Sequence, residues 1–235
     1  MITEAVILAG GFGTRLKAVV SDVPKPMAPV NGSPFLHYLM EYIAAAGITR
    51  VVLSTGYMAE KVRTHFGHTY CGMQIAYCEE KTPLGTGGGI RLALEHCHTN
   101  HVLVLNGDSF FAVPLEEYFE AHNESEAVAS LALRPVEDGS RYGTISLEGS
   151  RVTAFREKSA DITGPALING GVYVLNRAYY LGATPAGAAF SIEYDFFAKQ
   201  ATEAHLHGFV SSGYFIDIGI PEDYARAQLE LGVSE

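Results

Sequence analysis

A glycine-rich turn near the start of the chain carries residue types suited to binding phosphate. The segment GGFGTR, residues 10–15, directly follows the apolar run AVILA, residues 5–9. Glycine leaves backbone N–H groups open to phosphate oxygens, and the guanidinium of Arg15 can bind two such oxygens at once. Lys25 lies between two prolines that restrict the backbone, and it adds a second cation. A glycine turn with two nearby cations predicts a site for a polyphosphate chain.

Two familiar phosphate-binding motifs do not fit this segment. The dinucleotide pattern GxGxxG would need a glycine at position 16, where the chain has Leu16. The P-loop pattern also fails, because no Gly-Lys-Ser or Gly-Lys-Thr sequence follows four residues after a glycine. These mismatches, together with the lysine between prolines, count against an NAD-dependent oxidoreductase.

Short apolar strands alternate with helices through the first half of the chain. This alternation predicts an α/β fold with a Rossmann-like doubly wound, mostly parallel sheet, in which ligands bind beyond the carboxyl ends of the strands. The polar strand ends GGFGTR, EEKTPLGTGGG and NGD should therefore share one rim of the sheet. The predicted strands are 5–9, 50–57, 73–80 and 101–108, and the predicted helices are 34–48, 59–67 and 86–97.

The second half of the chain is less regular, although three of its segments have strand character. They are residues 127–135, 143–158 and 167–176, joined by hairpins or loops. No segment rich in proline, serine or charge separates the two halves, so we predict one domain over residues 1–235. In this domain the second half extends the sheet and closes over the rim.

Composition and charge restrict the class of protein. A hydrophobic content of 48% suits a packed core, and a net charge of −10 disfavours a nucleic-acid-binding protein, which would normally present a basic face. Cys71, Cys78 and Cys97 form no CxxC pair, so a disulfide framework is not expected. The N-terminal segment lacks the basic region of a signal peptide, and its apolar run is too short to span a membrane. We therefore expect a cytoplasmic protein.

Several segments together resemble the signature of the sugar-1-phosphate nucleotidylyltransferases, which make nucleotide sugars from a nucleoside triphosphate. The resemblance begins with LAGGFGTRL and PKPM and continues through PLGTGGGI, LNGDSF, FREK, NGGVYV and FIDIG. It implies a nucleotide-diphospho-sugar transferase fold, with residues 1–110 mainly binding the nucleotide and residues 111–235 mainly binding the sugar. The implied reaction joins a sugar 1-phosphate to the α-phosphorus of the triphosphate and releases pyrophosphate.

The resemblance also implies roles for individual residues of the nucleotide site. Arg15, Lys25 and Asp108 would be catalytic, and Asp108 and Asp217 would hold Mg²⁺, an ion that prefers oxygen ligands. The residues implied in nucleotide binding are Leu8, Ala9, Gly10, Gly11, Gly13, Thr14, Arg15, Lys25, Glu80, Pro83, Gly85 and Thr86.

The base and the sugar are assigned from a few further residues. Glu80 stands where pyrimidine-using relatives often carry glutamine, and a carboxylate can accept from the two donors on the guanine edge, which favours GTP. A carboxylate can also accept from the single N3–H of uracil, so a pyrimidine nucleotide stays open. The residues implied in sugar binding are Gly143, Glu157, Lys158, Asn169 and Gly170.

Within the family, the chain looks most like the enzymes that use GTP and D-glycero-α-D-manno-heptose 1-phosphate to make GDP-heptose for bacterial surface polysaccharide. The segments VVSDVPKPMAPVNGSPFLHYLMEYI and VLNGDSFF carry this similarity. Mannose-1-phosphate guanylyltransferase activity and pyrimidine-nucleotide hexose-1-phosphate activity stay open. A non-catalytic regulatory protein that binds nucleotide sugars is a third alternative, but the retention of Arg15, Lys25, Asp108 and Asp217 argues against it.

Two expectations concern assembly and further domains. The chain ends soon after PEDYARAQLE, which disfavours the C-terminal β-helix acetyltransferase domain that some relatives carry. Because relatives range from monomers to tetramers, a homodimer is an expectation without a sequence signal of its own.

Two other segments carry side chains that could bind ligands, but a structural role is expected for both. HCHTNH, residues 96–101, brings three histidines and a cysteine together, yet its spacings match no usual zinc pattern and it lies away from the polar rim. In SIEYDFF, residues 191–197, Glu193 and Asp195 are expected to cap a helix or to pack rather than enter the site.

Replacing Arg15 or Asp108 by alanine should remove most turnover while the protein stays folded. The reason is that neutralising phosphate charge at the reacting centre typically contributes on the order of 100-fold or more to such a step. Pyrophosphate release measures turnover, and far-UV circular dichroism reports the fold. Near-normal turnover in either folded variant would contradict the implied role of that residue.

Overall fold

Strands and helices alternate in the first half of the chain and become less regular in the second half. The computed structural model describes residues 1–10, 16, 20, 22–139, 143–156, 164–203 and 205–232. The strands are β1 (Glu4–Leu8), β2 (Pro29–Val30), β3 (Ser33–Pro34), β4 (Arg50–Thr55), β5 (Thr69–Tyr70), β6 (Met73–Glu79), β7 (His101–Asn106), β8 (Ser109–Phe111), β9 (Ala129–Val136), β10 (Thr144–Glu148), β11 (Arg151–Arg156), β12 (Ala166–Asn176), β13 (Leu206–Val210) and β14 (Phe215–Asp217). The helices are α1 (Phe35–Ala45), α2 (Ala59–Phe66), α3 (Gly85–Leu94), α4 (Leu115–Ser125), α5 (Arg177–Ala183), α6 (Ala198–Glu203) and α7 (Pro221–Glu230), with a 3₁₀ turn at Lys25–Met27 and a π-helical turn at Ile192–Phe197.

The central sheet has a doubly wound core. In the described chain its order is β10-β11-β13-β9-β12-β7-β1-β4-β6-β5. β1 pairs in parallel with both β4 and β7, and β4 pairs in parallel with β6. The order of strands therefore reverses between β1 and β7, which is where such sheets bind ligands. The predicted fold class is confirmed.

The second half of the chain extends the same sheet. β12 joins the two halves because it pairs antiparallel with β7 on one edge and with β9 on the other. Its register against β9 shifts between Asn169 and Tyr173, so β12 is irregular where it passes the end of β7. β10 and β11 form an antiparallel hairpin, and β13 pairs in parallel with β9. The predicted strand segments of this half correspond to β9, the β10–β11 hairpin and β12.

Alternation of side chains along the central strands divides the core into two layers. In β1, Ala5 and Ile7 belong to one buried cluster and Val6 belongs to the other. Consecutive side chains of a strand point to opposite faces, so a continuous apolar run such as β1 is buried on both. Helices α1, α2, α4 and α7 contribute to the first cluster, and α3, α5 and α6 contribute to the second.

Helix α1 shows how the sequence sets the bounds of an element. Its apolar side chains repeat at helical spacing and are buried against the sheet. The helix ends at Ala45, and Gly47 follows with a φ of +83°, a left-handed conformation that favours glycine. The predicted helix was therefore correct in position and three residues too long at its end.

Within the described ranges, no helix combines the length and the apolar character needed to cross a bilayer. Cys71 is exposed, Cys78 and Cys97 are buried, and all three are unpaired.

A buried histidine ties α4 to the sheet. The Nε2 atom of His122 lies 2.6 Å from Nδ1 of His101 on β7, and its Nδ1 atom lies 2.7 Å from Oγ of Ser130 on β9. Burial, and next the neighbouring His101 and His207, lower the pKa of His122 to about 4 from an ordinary value of 6.5. His122 is thus held neutral in the folded protein.

The free energy of unfolding should fall when the pH decreases from about 7 to about 4.5. The unfolded chain binds a proton at His122 more readily than the folded protein, so the stabilisation is complete above the unfolded pKa and is lost toward the folded pKa. The lowered pKa corresponds to a loss on the order of 2–3 kcal/mol over this interval. Denaturant unfolding at a series of pH values measures it.

In the variant His122→Gln, the free energy of unfolding should change less with pH than in the wild type, although the variant is less stable at neutral pH. His96 is exposed, so His96→Gln is the matched control and should keep the wild-type dependence. An unchanged pH dependence in His122→Gln would contradict the assignment.

Candidate active site

A cavity of about 570 Å³ opens at the carboxyl ends of the parallel strands. Leu8 and Gly10 from the end of β1, and Asn106 and Asp108 from the end of β7, contribute to its lining, so it lies where the strand order reverses. The segments after β1, β6 and β7 meet there, which confirms the predicted shared rim. The predicted nucleotide-binding residues that line the cavity are Leu8, Gly10, Lys25, Glu80, Pro83, Gly85 and Thr86.

Ala9 is the predicted nucleotide-binding residue that lies beneath this surface. It is fully buried, and its N–H donates to the carbonyl of Ser54 at 2.7 Å. Ala9 therefore ties the end of β1 to β4, and its side chain does not line the cavity.

Lys25 reaches the cavity from a 3₁₀ turn with a fixed backbone. The N–H of Met27 donates to the carbonyl of Pro24 at 2.8 Å, and that of Ala28 donates to Lys25 at 3.0 Å. Pro26 and Met27 are buried, which anchors the turn in the core. The two prolines restrict φ on either side of the lysine, so its position is set by the backbone.

Two short antiparallel strands bring Asp108 and Asp217 to the same cation. β8 begins directly after Asp108, and β14 ends at Asp217, which pairs with Ser109. The N–H of Ile218 donates to the carbonyl of Asp108 at 3.0 Å. Nζ of Lys25 lies 2.7 Å from Oδ2 of Asp108 and 3.5 Å from Oδ1 of Asp217. Two carboxylates that are distant in the chain therefore face one point.

The electrostatics of this cluster suit a divalent cation. The Lys25 side chain is 12% exposed, while those of Asp108 and Asp217 are 42% and 48% exposed, so the carboxylates are accessible and the lysine lies beneath them. Burial, and next the charge of Asp108, raise the pKa of the Asp217 carboxyl, and the Lys25 ammonium offsets part of this effect. Two converging oxygen ligands of this kind fit Mg²⁺, so Asp108 and Asp217 could hold that ion.

Glu80 is fixed at the edge of the cavity by two hydrogen bonds. The buried hydroxyl of Ser54 donates to Oε1 at 3.1 Å, and the N–H of Leu84 donates to Oε2 at 2.9 Å. A Cβ atom at Gly89 would lie 2.7 Å from Oε1, so glycine in α3 leaves room for the carboxylate. Glu80 thus orders the segment that leads into α3, and its contact with a base stays a prediction.

The start of α3 is held by a segment from the second half of the chain. The Thr86 hydroxyl donates to Oε2 of Glu193 at 3.0 Å and accepts from the N–H of Ile192 at 3.0 Å. Asp195 accepts from the N–H of Ser191 at 2.8 Å, which is the capping role expected of it. Glu193 instead contacts Thr86, a residue that lines the cavity.

Gly143, which directly precedes β10, lies beside Asn169 of β12. Thr144 of β10 pairs with Ile168 of β12, which places the residues next to them side by side. The amide of Asn169 donates to the hydroxyl of Tyr173 at 2.7 Å, and its Oδ1 accepts from the N–H of Gly171 at 3.0 Å. The structure therefore brings two of the predicted sugar-binding residues together, and their contact with a sugar stays a prediction.

The glycine pair on β12 lets this strand pass close to the end of β7. Gly170 is buried, and a Cβ atom there would lie 2.3 Å from the ring of Phe111. Gly171 has a φ of +74°, and a Cβ atom there would lie 2.8 Å from Nδ2 of Asn106. Packing thus requires glycine at both positions. The sequence predicted only a sugar contact for Gly170 and did not predict this packing role.

Several predicted site residues fall on parts of the chain outside the described residues. They are Gly11, Gly13, Thr14 and Arg15 of the glycine turn and Glu157 and Lys158 of the FREK segment. Their assignments stay predictions.

The cavity also contains residues to which the sequence analysis assigned no individual role. Gly56 and Tyr57 follow β4, and Lys81 adds a cation after β6. The rule that ligands lie beyond the ends of parallel strands could have identified Gly56 and Tyr57, because their strand was predicted. Ser54 had no such signal beyond a polar side chain in an apolar strand.

In the described chain, the histidine-rich segment is not part of a group of three converging metal ligands. Cys97 is buried, and its thiol donates to the carbonyl of Ala93. Among the described residues, the group that brings three possible metal ligands within 4.8 Å of one another is instead His37, Glu41 and Cys71, on a surface away from the cavity.

The chain is similar to known proteins along nearly its whole length. A model of the nucleotidyl transferase family matches residues 4–233 of the chain. The D-glycero-alpha-D-manno-heptose 1-phosphate guanylyltransferase of Aneurinibacillus thermoaerophilus is 47% identical over 228 residues, which cover 97% of this chain and 98% of the relative. The mannose-1-phosphate guanylyltransferase of Mycobacterium tuberculosis is 37% identical over 232 residues, which cover 97% of this chain and 64% of that protein.

The fold of the chain is also similar to that of a solved structure. HddC from Yersinia pseudotuberculosis, complexed with GMP-PN, matches with a TM-score of 0.85 and 35% identity, covering 97% of this chain and 99% of that one. The similarity therefore includes both halves of the sheet.

Gly107 should be intolerant of even one added methyl group. A Cβ atom there would lie 2.3 Å from the carbonyl oxygen of Leu8 and 3.3 Å from Cγ of Pro26, where the end of β7, the end of β1 and the lysine turn meet. Gly107→Ala should lower the free energy of unfolding by about 1–3 kcal/mol, because overpacking forces the backbone to move. Denaturant unfolding measures the change.

Gly182→Ala is the matched control. Gly182 lies in α5 with open space around its Cα, so alanine there should raise the free energy of unfolding by up to about 1 kcal/mol. Equal changes in the free energy of unfolding for the two substitutions would contradict the close contact between Gly107 and Leu8.

Proposed function

Since the chain belongs to the nucleotidyl transferase family, we propose that it transfers GMP from GTP to D-glycero-α-D-manno-heptose 1-phosphate. The products are GDP-heptose and pyrophosphate, and the nucleotide sugar would serve surface polysaccharide synthesis. The observation that carries the reaction class is the convergence of Asp108 and Asp217 on Lys25 at the cavity. The choice of guanine and heptose is supported by the 47% identity to a protein of that name along nearly its whole length.

The proposed step depends on positioning and charge neutralisation. An oxygen of the sugar phosphate forms a bond to the α-phosphorus of GTP, while the bond from that phosphorus to the bridging oxygen of the leaving pyrophosphate breaks. The sugar phosphate has a second pKa of about 6, so it is mostly a dianion at neutral pH and no proton has to be removed. The described lining of the cavity contains lysines that can neutralise phosphate charge in this step.

The charged residues divide this work among them. Asp108 and Asp217 would hold Mg²⁺, which when bound supplies positive charge to phosphate oxygens of both substrates. Lys25 would neutralise phosphate charge at the reacting centre, and Arg15 would do so on the triphosphate and the departing pyrophosphate. Lys81 lies at the cavity edge, where it could attract the anionic substrates.

The nucleotide would lie along the ends of the parallel strands. Gly10 lets the base approach the backbone after β1, since no side chain stands in its way. Glu80 would accept from N1–H and N2–H₂ of guanine with the acceptor positions that Ser54 and Leu84 leave open. Thr86 donates a hydrogen bond to Glu193 and would thereby fix the segment at the start of α3 that closes on the base or ribose.

The sugar would lie beside β10 and β12. Gly143 and Asn169 are neighbours there, so a backbone group and a side-chain amide could contact the sugar hydroxyls together. Glu157 and Lys158 follow β11 in the sequence, and they would add a hydroxyl contact and a contact to the sugar phosphate.

Incubation with Mg²⁺, each of five nucleoside triphosphates and a panel of sugar 1-phosphates should release pyrophosphate fastest with GTP and the heptose 1-phosphate. The reason is that discrimination requires matched hydrogen bonds at both the base and the sugar, and an unpaired buried polar group lowers the rate constant for the wrong substrate. Continuous detection of pyrophosphate gives kcat/KM for every pair.

Each alternative outcome identifies a different error. Faster pyrophosphate release with mannose 1-phosphate would show that the assigned sugar is wrong. Pyrophosphate release with only a pyrimidine triphosphate would show that the assigned base is wrong. If the folded protein releases no pyrophosphate with any pair, the proposed enzymatic activity is wrong. A non-catalytic role in binding nucleotide sugars is then favoured.

A further inference from the structure

The Lys25 ammonium occupies the place between the two carboxylates that could bind a metal. Its Nζ atom is 2.7 Å from Oδ2 of Asp108, a charge-assisted hydrogen bond, and 3.5 Å from Oδ1 of Asp217. A metal ion that binds both carboxylates would lie close to this ammonium, and the two positive charges would repel each other. The lysine and a divalent cation are therefore competitors for one pair of ligands.

The surroundings hold the lysine in this place. The N–H of Gly219 donates to Oδ1 of Asp217 at 2.7 Å, which orients that carboxylate. A Cβ atom at Gly219 would lie 2.8 Å from the same oxygen and 3.0 Å from Nζ of Lys25, so the chain leaves space for the ion pair only because a glycine stands there. The lysine side chain is nearly buried, so water competes weakly for its charge.

We propose that Lys25 is the resting counter-ion of Asp108 and Asp217, and that it must be drawn away before they bind a divalent cation. The inference rests on the proposed function, because it takes these two residues as the metal ligands. The phosphates of the nucleotide supply the alternative partner for the ammonium. The metal accordingly enters with the triphosphate or after it, and the ligand-free protein binds divalent cations weakly.

This arrangement couples the metal to the nucleotide through one side chain. A triphosphate that attracts Lys25 frees the carboxylates, and a metal on the carboxylates frees Lys25 for phosphate. Linkage requires the two effects on affinity to be equal. The lysine thus offsets part of the negative charge of the carboxylates in the absence of substrate and releases them when phosphate arrives.

The experiment measures Mn²⁺ binding to the ligand-free full chain by the electron paramagnetic resonance signal of free Mn²⁺. Lys25→Met removes the competing charge with a side chain of similar length, so it should bind one Mn²⁺ on the order of ten-fold more tightly than the wild type, or better. Adding Asp217→Asn to this variant should abolish the gain. Lys199 is an exposed surface lysine paired with Glu203, so Lys199→Met is the control for loss of one positive charge and should match the wild type.

Unchanged or weaker Mn²⁺ binding in folded Lys25→Met would overturn the proposal. Lys25→Gln serves as the second variant if the methionine variant does not fold, since it can still donate a hydrogen bond to Asp108. Independently of any variant, Mn²⁺ soaked into crystals of the wild-type protein should displace Nζ of Lys25 from both carboxylates. Manganese bound with both contacts retained would also overturn it.

The result can be separated from the fate of the proposed function. Metal binding here is measured without nucleotide, sugar or turnover. If no substrate pair releases pyrophosphate but Lys25→Met gains affinity for Mn²⁺, the competition stands and the proposed reaction fails. If the reaction occurs and the variant gains no affinity, the reaction stands and the competition fails.

Discussion

The charge balance among Lys25, Asp108 and Asp217 is the interaction on which the site depends. A nearly buried ammonium is unstable without a counter-charge, and two neighbouring carboxylates repel each other without a cation. The Lys25 ammonium contacts both carboxylates and offsets part of the repulsion between them. Because the three residues come from a 3₁₀ turn and from two short strands far apart in the chain, this balance also fixes the relative positions of those elements.

Close backbone packing makes this charge balance possible. β1 and β7 are buried on both faces, so their ends cannot shift without disturbing both layers of the core. Gly107 and Gly219 stand where an added Cβ atom would meet a carbonyl oxygen or the ion pair itself. The strand ends thus bring charged side chains together because small residues let the backbones approach.

The two halves of the chain form one site. Glu193, from the second half, holds Thr86 at the start of α3, and β12 passes the end of β7 through Gly170 and Gly171. Asp217 likewise comes from the second half and meets Asp108 from the first. Residues from both halves of the chain therefore support the lining of the cavity, through packed contacts and hydrogen bonds.

The sequence by itself determined the doubly wound strands, the bounds of α1, α2 and α3 to within a few residues, and the rim on which Gly10, Glu80 and Asp108 meet. It could do so because hydrophobic periodicity and glycine positions are local signals, and because parallel strands must end at a common edge. Resemblance of motifs added Asp217, which the sequence otherwise marks only as the end of a short apolar strand. Tertiary structure alone decided that Lys25 lies between the two carboxylates, that Ser54 and Leu84 hold Glu80, and that Glu193 supports Thr86. These contacts join residues far apart in the chain, and their distances depend on how the strands pair and how closely glycine lets them pack, which no local pattern of residues encodes.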